Sequence, residues 1–443
     1  MKKYNNLKLV LAGLILITAA CKTEIDVPAA SKGSADFSKY IAVGNSLTAG
    51  YADNGLYLEG QLNSYPSIIA KQMKSVGGGD FKQPLFTEAQ SDGSGYLKFA
   101  GFNADGTPNI VPVKDKLAVR GEYDAGAFGK VTLYTKFAGD NNNFGVPGIK
   151  LQQITFAPYG NLNGYFERLL PGNAGTNNTT YLDFVTAKPF TFFTSWLGNN
   201  DALGYATSGG VGDVLTPKDQ FLGLYNALIA KLTANGAKGA IATIPDVSSI
   251  PFLTTVTVKA LLDGAKKLNP AFQAVYIQTA AGNRIATDED LITLSFNSTG
   301  LFGKPNGSMQ YYGLHPSNPI QSQYVLDKTE VATARDYVNS YNATIKSIAT
   351  AKKLAIFDAY SFLNTLNVKH VSENGQPYTG VFINGINVSS SFITGNAFSL
   401  DGVHLTPKGY AIVANEFIKA INAQYGSTIP QANLSDYRSV KFP

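Results

Sequence analysis

Four short apolar runs punctuate the chain: Tyr40-Ile41-Ala42-Val43 ahead of Gly44, then residues 189–197 (PFTFFTSWL), 239–244 (GAIATI) and 354–357 (LAIF). Continuous apolar runs of this length read as strands buried on both faces. Between them the apolar positions recur at helical spacing. Thr216-Pro217 predicts an N-cap with proline at the first helical position, and Phe221, Leu224, Tyr225, Leu228 and Leu232 follow, up to Gly236. A second helix is predicted over 329–352, leading into the strand at Leu354. A third starts at Thr406-Pro407 and runs through Tyr410, Ile412, Val413, Phe417 and Ile421. Strands alternating with helices predict an α/β fold, a parallel sheet covered on both faces.

Three stretches break the alternation: 77–140, 278–327 and 372–397. The first is glycine-rich with strand-like fragments such as Lys130-Val131-Thr132-Leu133-Tyr134. Either these are surface elaborations or they shape access to a site. Apolar stretches inside them, 296–302 and 382–388, suit an acyl groove or a core equally well. A main domain is thus expected over 37–425, followed by a C-terminal tail over 426–443.

The beginning of the chain follows a different logic. Lys2, Lys3 and Lys8 precede an uncharged apolar run, Leu9 to Ala20, the pattern of a secretory signal peptide over residues 1–20. That run is shorter than the roughly 20 apolar residues a bilayer-spanning helix needs. Cys21 is the only cysteine, so no internal disulfide can form. Ile17-Thr18-Ala19-Ala20-Cys21 resembles the cleavage box of bacterial lipoproteins, with Thr18 where Leu is usual. The resemblance implies lipidation of Cys21, a tether over 21–36, and export to the cell envelope as an outer-membrane lipoprotein.

Composition then narrows the function. With 44% hydrophobic and 15% charged residues the chain has ample material for a core. Losing Lys2, Lys3 and Lys8 lowers the formal charge from +5 to +2, and no basic stripe remains that would suit nucleic acid. Neither His315 nor His370 has metal-ligand company, and HExxH, paired CxxC and GxSxG are all missing from the sequence. No metal or other cofactor is expected.

The chemistry lies in four short motifs that follow predicted strands or precede the last helix: Gly44-Asn45-Ser46-Leu47, Asn143-Phe144-Gly145-Val146-Pro147-Gly148, Gly198-Asn199-Asn200-Asp201 and Asp401-Gly402-Val403-His404. In an open parallel sheet such positions gather at the carboxyl edge, where ligands bind. A serine hydroxyl becomes a nucleophile when a histidine takes its proton, and a carboxylate holds that histidine in the right tautomer. Ser46, His404 and Asp401 fit those roles. Gly148, the Asn200 amide and the Ser46 N–H are suited to stabilise an oxyanion.

Together the four motifs resemble the SGNH, or GDSL, hydrolase superfamily, whose blocks supply Ser, Gly, Asn and His in this order. The resemblance implies a three-layer α/β/α sandwich with a mostly parallel, flavodoxin-like sheet. It also implies Ser46 as nucleophile, Gly148 and Asn200 as oxyanion donors, His404 as base and Asp401 as its orienter. Expected substrates are lipid or other small-molecule acyl esters, or acetyl esters of carbohydrates. Where the family has Asp before the serine, this chain has Asn45. That departure leaves open a catalytically silent, lipid-anchored binding protein of the same fold.

Overall fold

In the computed structural model, which describes residues 30–104 and 106–443, Tyr40–Gly44 (β1) is buried along its whole length. The other strands of the sheet are Asn143–Gly145 (β2), Phe192–Trp196 (β3), Lys238–Ala242 (β4) and Ala355–Phe357 (β5), in the spatial order β2-β1-β3-β4-β5. Every neighbouring pair is parallel, with Ala42 of β1 opposite Asn143 on one side and Thr194 on the other. This is the flavodoxin-like order of a doubly wound sheet, and its direction reverses between β1 and β3. The crevice beyond the carboxyl ends of those two strands is where a ligand site is expected.

Successive side chains of the sheet serve opposite layers, as the period of two requires. Tyr40, Ala42, Phe192 and Trp196 pack with Tyr65–Met73 (α2) and Pro407–Tyr425 (α6). Ile41, Val43, Phe193 and Ile241 pack with Lys218–Thr233 (α4) and Lys328–Lys352 (α5). Two shorter helices, Ser46–Ala49 (α1) and Asn200–Thr207 (α3), start directly after β1 and β3. Phe221, Leu228 and Leu232 of α4 are fully buried, each contributing about 1.5–3 kcal/mol. The layers are those of an α/β/α sandwich.

Several boundaries differ from expectation, each for a local reason. β2 carries only three residues and no apolar run, so periodicity does not reveal it. Thr216 does not cap α4, which begins one residue later than expected, at Lys218 behind Pro217; the Thr216 hydroxyl donates to Asp201 Oδ1 at 2.6 Å. Thr406 does cap α6, accepting the Gly409 N–H at 3.0 Å. The signal peptide and Cys21 lie outside the described residues. Within the expected tether, Ser34 N–H donates to the Tyr425 carbonyl at 2.9 Å and Ala35 is buried, so the last residues of 21–36 belong to the folded body. The segment 426–443 is packed as well. Ile429, Ala432, Leu434 and Val440 are buried, and Asn415 exchanges two hydrogen bonds with Ala432. Among the described residues no helix is long and apolar enough to cross a membrane.

The three interruptions fold as antiparallel ribbons. The first forms Tyr96–Phe102 with Pro108–Val113 and Val119–Asp124 with Lys130–Tyr134. It is fastened by Glu167, fully buried and paired with Arg120 and Lys136 at 2.7 Å each. The second builds a small core of its own around Ile277, Ile292, Phe296 and Ile320. The third is two hairpins, one turning at Asn384-Gly385 with both residues at positive φ, as a tight two-residue turn demands.

Candidate active site

Ser46 owes its position to the residues on either side. A Cβ on Gly44 would lie 1.9 Å from Thr48 Oγ1, so only glycine lets β1 run this closely into α1. Asn45, 1% exposed, caps α1 by accepting the Leu47 N–H at 3.0 Å. Gly50, at φ +83°, ends the helix after one turn. The Ser46 N–H therefore sits in a first helical turn, where backbone donors have no intrahelical acceptor.

His404 Nε2 lies 2.8 Å from Ser46 Oγ, and its Nδ1 lies 2.9 Å from Asp401 Oδ2. Asp401 is otherwise saturated. Its Oδ1 accepts the Val403 and His404 N–H groups at 2.8 Å and the Ser399 hydroxyl at 3.1 Å, and its Oδ2 accepts the Asn54 N–H at 2.9 Å. Burial pushes this carboxyl up, but the charge and hydrogen bonds of His404, with the Val403 N–H, outweigh it and hold Asp401 well below the usual carboxylate range. With Asp401 ionised, Nδ1 carries the imidazole proton and Nε2 is left to accept from the serine. Gly402, at φ +70°, turns the chain between the two side chains. The Tyr51 ring packs 4.6 Å from the imidazole, centroid to centroid.

The Asn54 contact comes from a part of the chain that the motifs do not mark. Asp53 and Asn54 both adopt positive φ (51° and 60°) in a turn closed by two hydrogen bonds between Ala52 and Gly55. Asp53 fastens the loop that carries Asp401: its N–H donates to Ser399 Oγ at 2.9 Å and its Oδ1 accepts the Leu400 N–H at 3.0 Å. Its second oxygen accepts from the Tyr57 hydroxyl at 2.7 Å. Asp-Asn-Gly is a recognisable turn signal, but its partner lies 347 residues away and spacing cannot reveal it.

Opposite the histidine, Gly148 follows β2 at φ +83° and Asn200 opens α3. Asn200 Nδ2 donates to the Ile149 carbonyl at 2.9 Å, and Asp201 Oδ2 accepts the Leu151 N–H at 2.8 Å, so the Gly148 loop and α3 are stitched together. Burial pushes Asp201 up to about 6, against its hydrogen bonds from Thr216 and Leu151. Among the described residues, the Ser46 and Gly148 N–H groups have no protein acceptor. Ser46, Gly148, Asn200, Asp401 and His404 all face one cleft. Such a group of unoccupied donors beside a serine–histidine pair can stabilise charge on a carbonyl oxygen under attack.

Gly148 provides a prediction. A Cβ there would meet only Asn163 Nδ2, at 3.7 Å, but φ +83° is strained for any L-residue. Gly148→Ala is expected to cost about 1–2 kcal/mol of stability and to lower ester turnover by about ten- to a hundredfold as the N–H swings off line. Thermal melts and initial rates check both.

Two spaces meet at Ser46. One is a narrow apolar pocket of about 50 Å³ whose walls include Leu47, Trp196, Val247, Ile250 and Phe398. The other is a broad cleft of about 1030 Å³, to which all three interruptions contribute, through Leu97 and Ile110, Leu294 and Asn297, and Phe392. Of the apolar stretches that suit an acyl groove or a core equally well, the first places Phe296 in the core of its own ribbon, and in the second Phe382 is exposed. His315 Nδ1 accepts the Ser317 N–H in a turn, and His370 stacks on Tyr378. Among the described residues no cluster of His, Cys, Asp or Glu is placed to hold a metal.

No curated protein sequence matches the chain. Similar solved structures include an alpha/beta hydrolase enzyme from the metagenome of Lake Arreo, Spain, 9% identical over 88% of this chain and 97% of that one, TM-score 0.36. A variant of an acetyl-xylooligosaccharide esterase from Geobacillus Stearmophilus is 10% identical over 88% and 96%, TM-score 0.35. The lipase/acylhydrolase from Enterococcus faecalis is 12% identical over 89% and 99%, TM-score 0.33. The model of the GDSL-like lipase/acylhydrolase family matches residues 40–417, which take in all five strands and every residue of the Ser46–His404–Asp401 relay, and the chain belongs to that family of hydrolases.

Proposed function

We propose that this protein hydrolyses carboxylic esters through an acyl-enzyme on Ser46. The observation that carries this reading is the unbroken relay from Ser46 Oγ through His404 to Asp401, at 2.8 and 2.9 Å, at the mouth of an open cleft. Ser46 Oγ attacks the ester carbonyl carbon as its proton passes to His404 Nε2, and the carbonyl electron pair moves onto oxygen. The N–H groups of Ser46 and Gly148 and the amide of Asn200 receive that charge. As the tetrahedral intermediate collapses, the C–O bond to the alcohol breaks and Nε2 returns the proton to the departing oxygen. Water then repeats the sequence, with His404 as its base, and releases the acid.

In this reading the narrow apolar pocket holds the acyl chain. Each methylene buried there is worth about 0.8 kcal/mol, roughly fourfold in kcat/KM. A series of 4-nitrophenyl esters from acetyl to palmitoyl tests both points. Rates are expected to rise from acetyl as the pocket fills and to fall once the chain outgrows it. A sharp optimum at acetyl would remove the pocket from acyl binding, and no hydrolysis of any member would refute the reading.

Asn45 bears on pH dependence. Its Oδ1 already accepts the Leu47 N–H, and a carboxylate can keep that bond, so Asn45→Asp preserves the loop while adding a negative charge to the pocket that His404 also lines. The added charge favours protonated imidazole, so the acid limb of the rate profile is expected to move to higher pH. An unmoved limb would rule out an electrostatic role for position 45. We further propose that Cys21 carries a lipid anchor that holds the enzyme at the outer membrane of a bacterial envelope. Mass spectrometry of the mature N-terminus tests that assignment.

A further inference from the structure

We propose that the cleft built by the three interruptions binds the alcohol part of the ester, and that this part is neutral and polyhydroxylated, one or more sugar rings. The proposal rests on the reading that Ser46 carries the acyl group. Three observations lead to it. The first is size: at about 1030 Å³ the cleft stands at the upper end of the roughly 300–1,000 Å³ range of small-ligand sites, with room for more than one ring.

The second is charge. Among the described residues the cleft presents no lysine, arginine or glutamate, and its only carboxylate, Asp401, is saturated by the donors around it. A phosphorylated headgroup would find no guanidinium or ammonium to pair with. An ammonium headgroup would find no free carboxylate.

The third is the kind of surface. Asn54, Asn297 and Ser298 line the cleft, are exposed, and make no side-chain hydrogen bond within the protein, so their amides and hydroxyl are free to exchange water for ligand hydroxyls. The aromatic side chains of Tyr51, Phe252 and Phe392 line the same cleft. Free amides and a hydroxyl in a cleft that also carries aromatic side chains match a pyranose ring, which has hydroxyls round its rim and C–H groups on its faces.

Binding tests this separately from catalysis. Ser46→Ala protein is titrated calorimetrically with a panel of neutral tetrasaccharides built from glucose, mannose or xylose, and with a short-chain diacylglycerol. Saturable binding of at least one tetrasaccharide is expected, weakened about tenfold by Asn297→Ala with Ser298→Ala, a loss of about 1.4 kcal/mol, the size of one or two net hydrogen bonds. Both substituted residues are exposed, and a thermal melt checks that the fold is kept. No binding across the panel, binding unchanged by the double substitution, or binding of the diacylglycerol alone would each overturn the proposal. Persistence of 4-nitrophenyl acetate hydrolysis in Ser46→Ala would overturn the serine reading instead, and the titration would still decide what the cleft binds.

Discussion

Ser46→Ala is expected to lower kcat by on the order of 10⁶, the scale of loss when the nucleophile of a Ser/His/Asp site is removed, with the fold retained. The substitution deletes one hydroxyl and leaves its surroundings unstrained. α1 keeps its Asn45 cap and its Gly50 terminus, and the His404 ring keeps Asp401 on one side and Tyr51 on the other. What disappears is the only oxygen within hydrogen-bond reach of His404 Nε2 among the described residues. Residual turnover from the oxyanion donors and water should lie several orders below wild type. Steady-state rates on a short-chain nitrophenyl ester, beside a thermal melt of each protein, measure the two quantities separately.

Asp401→Asn is expected to cost about 10⁴ in kcat, the scale set by the same change in a well-studied serine protease. Both carboxylate oxygens here accept hydrogen bonds, and Oδ2 takes two N–H donors, from Asn54 and from His404 Nδ1. An asparagine has one acceptor oxygen. Oriented to satisfy the Val403 and His404 backbone donors, it turns its NH₂ group toward the imidazole, which then carries its proton on Nε2 and cannot accept from Ser46. The charge matters to stability too. Folding lowers the Asp401 pKa, so its stabilising contribution is present above the unfolded value of about 4 and is lost as pH falls through the lower folded value. Asp401 thus stays ionised across the working range. Asp401→Asn should flatten the part of the acid-stability curve that lies below about pH 4, which urea midpoints as a function of pH will reveal.

How much of this the sequence discloses depends on the range of the interaction. Four of the five strands are visible because each is a run of apolar residues between two helical layers. β2 is not, since Asn143 is buried by satisfying its amide, through the Thr48 carbonyl and Gln83, and not by being apolar. α6 starts where its Thr-Pro pair says, whereas the same pair at Thr216 misleads by one residue: Pro217 stands in the cap position of α4, and the Thr216 side chain is held on the buried Asp201. At the site, Ser46, Gly148, Asn200, Asp401 and His404 are legible since each stands in a short motif. The Asp53-Asn54 turn is legible only as a turn. That it braces the loop bearing Asp401 depends on tertiary contacts across most of the chain. The ribbons are harder still: Phe296 fills the core of its own small unit, while Leu294, Ser295, Asn297 and Ser298 around it line the cleft.

The central claim is that Ser46 is a nucleophile activated by His404. Its most direct test is covalent capture: folded protein is treated with a fluorophosphonate and the adduct located by peptide mass spectrometry. A single adduct on Ser46 is predicted, absent in Ser46→Ala and slowed by orders of magnitude in His404→Ala. An adduct on another residue, or none on well-folded wild-type protein, would contradict the account.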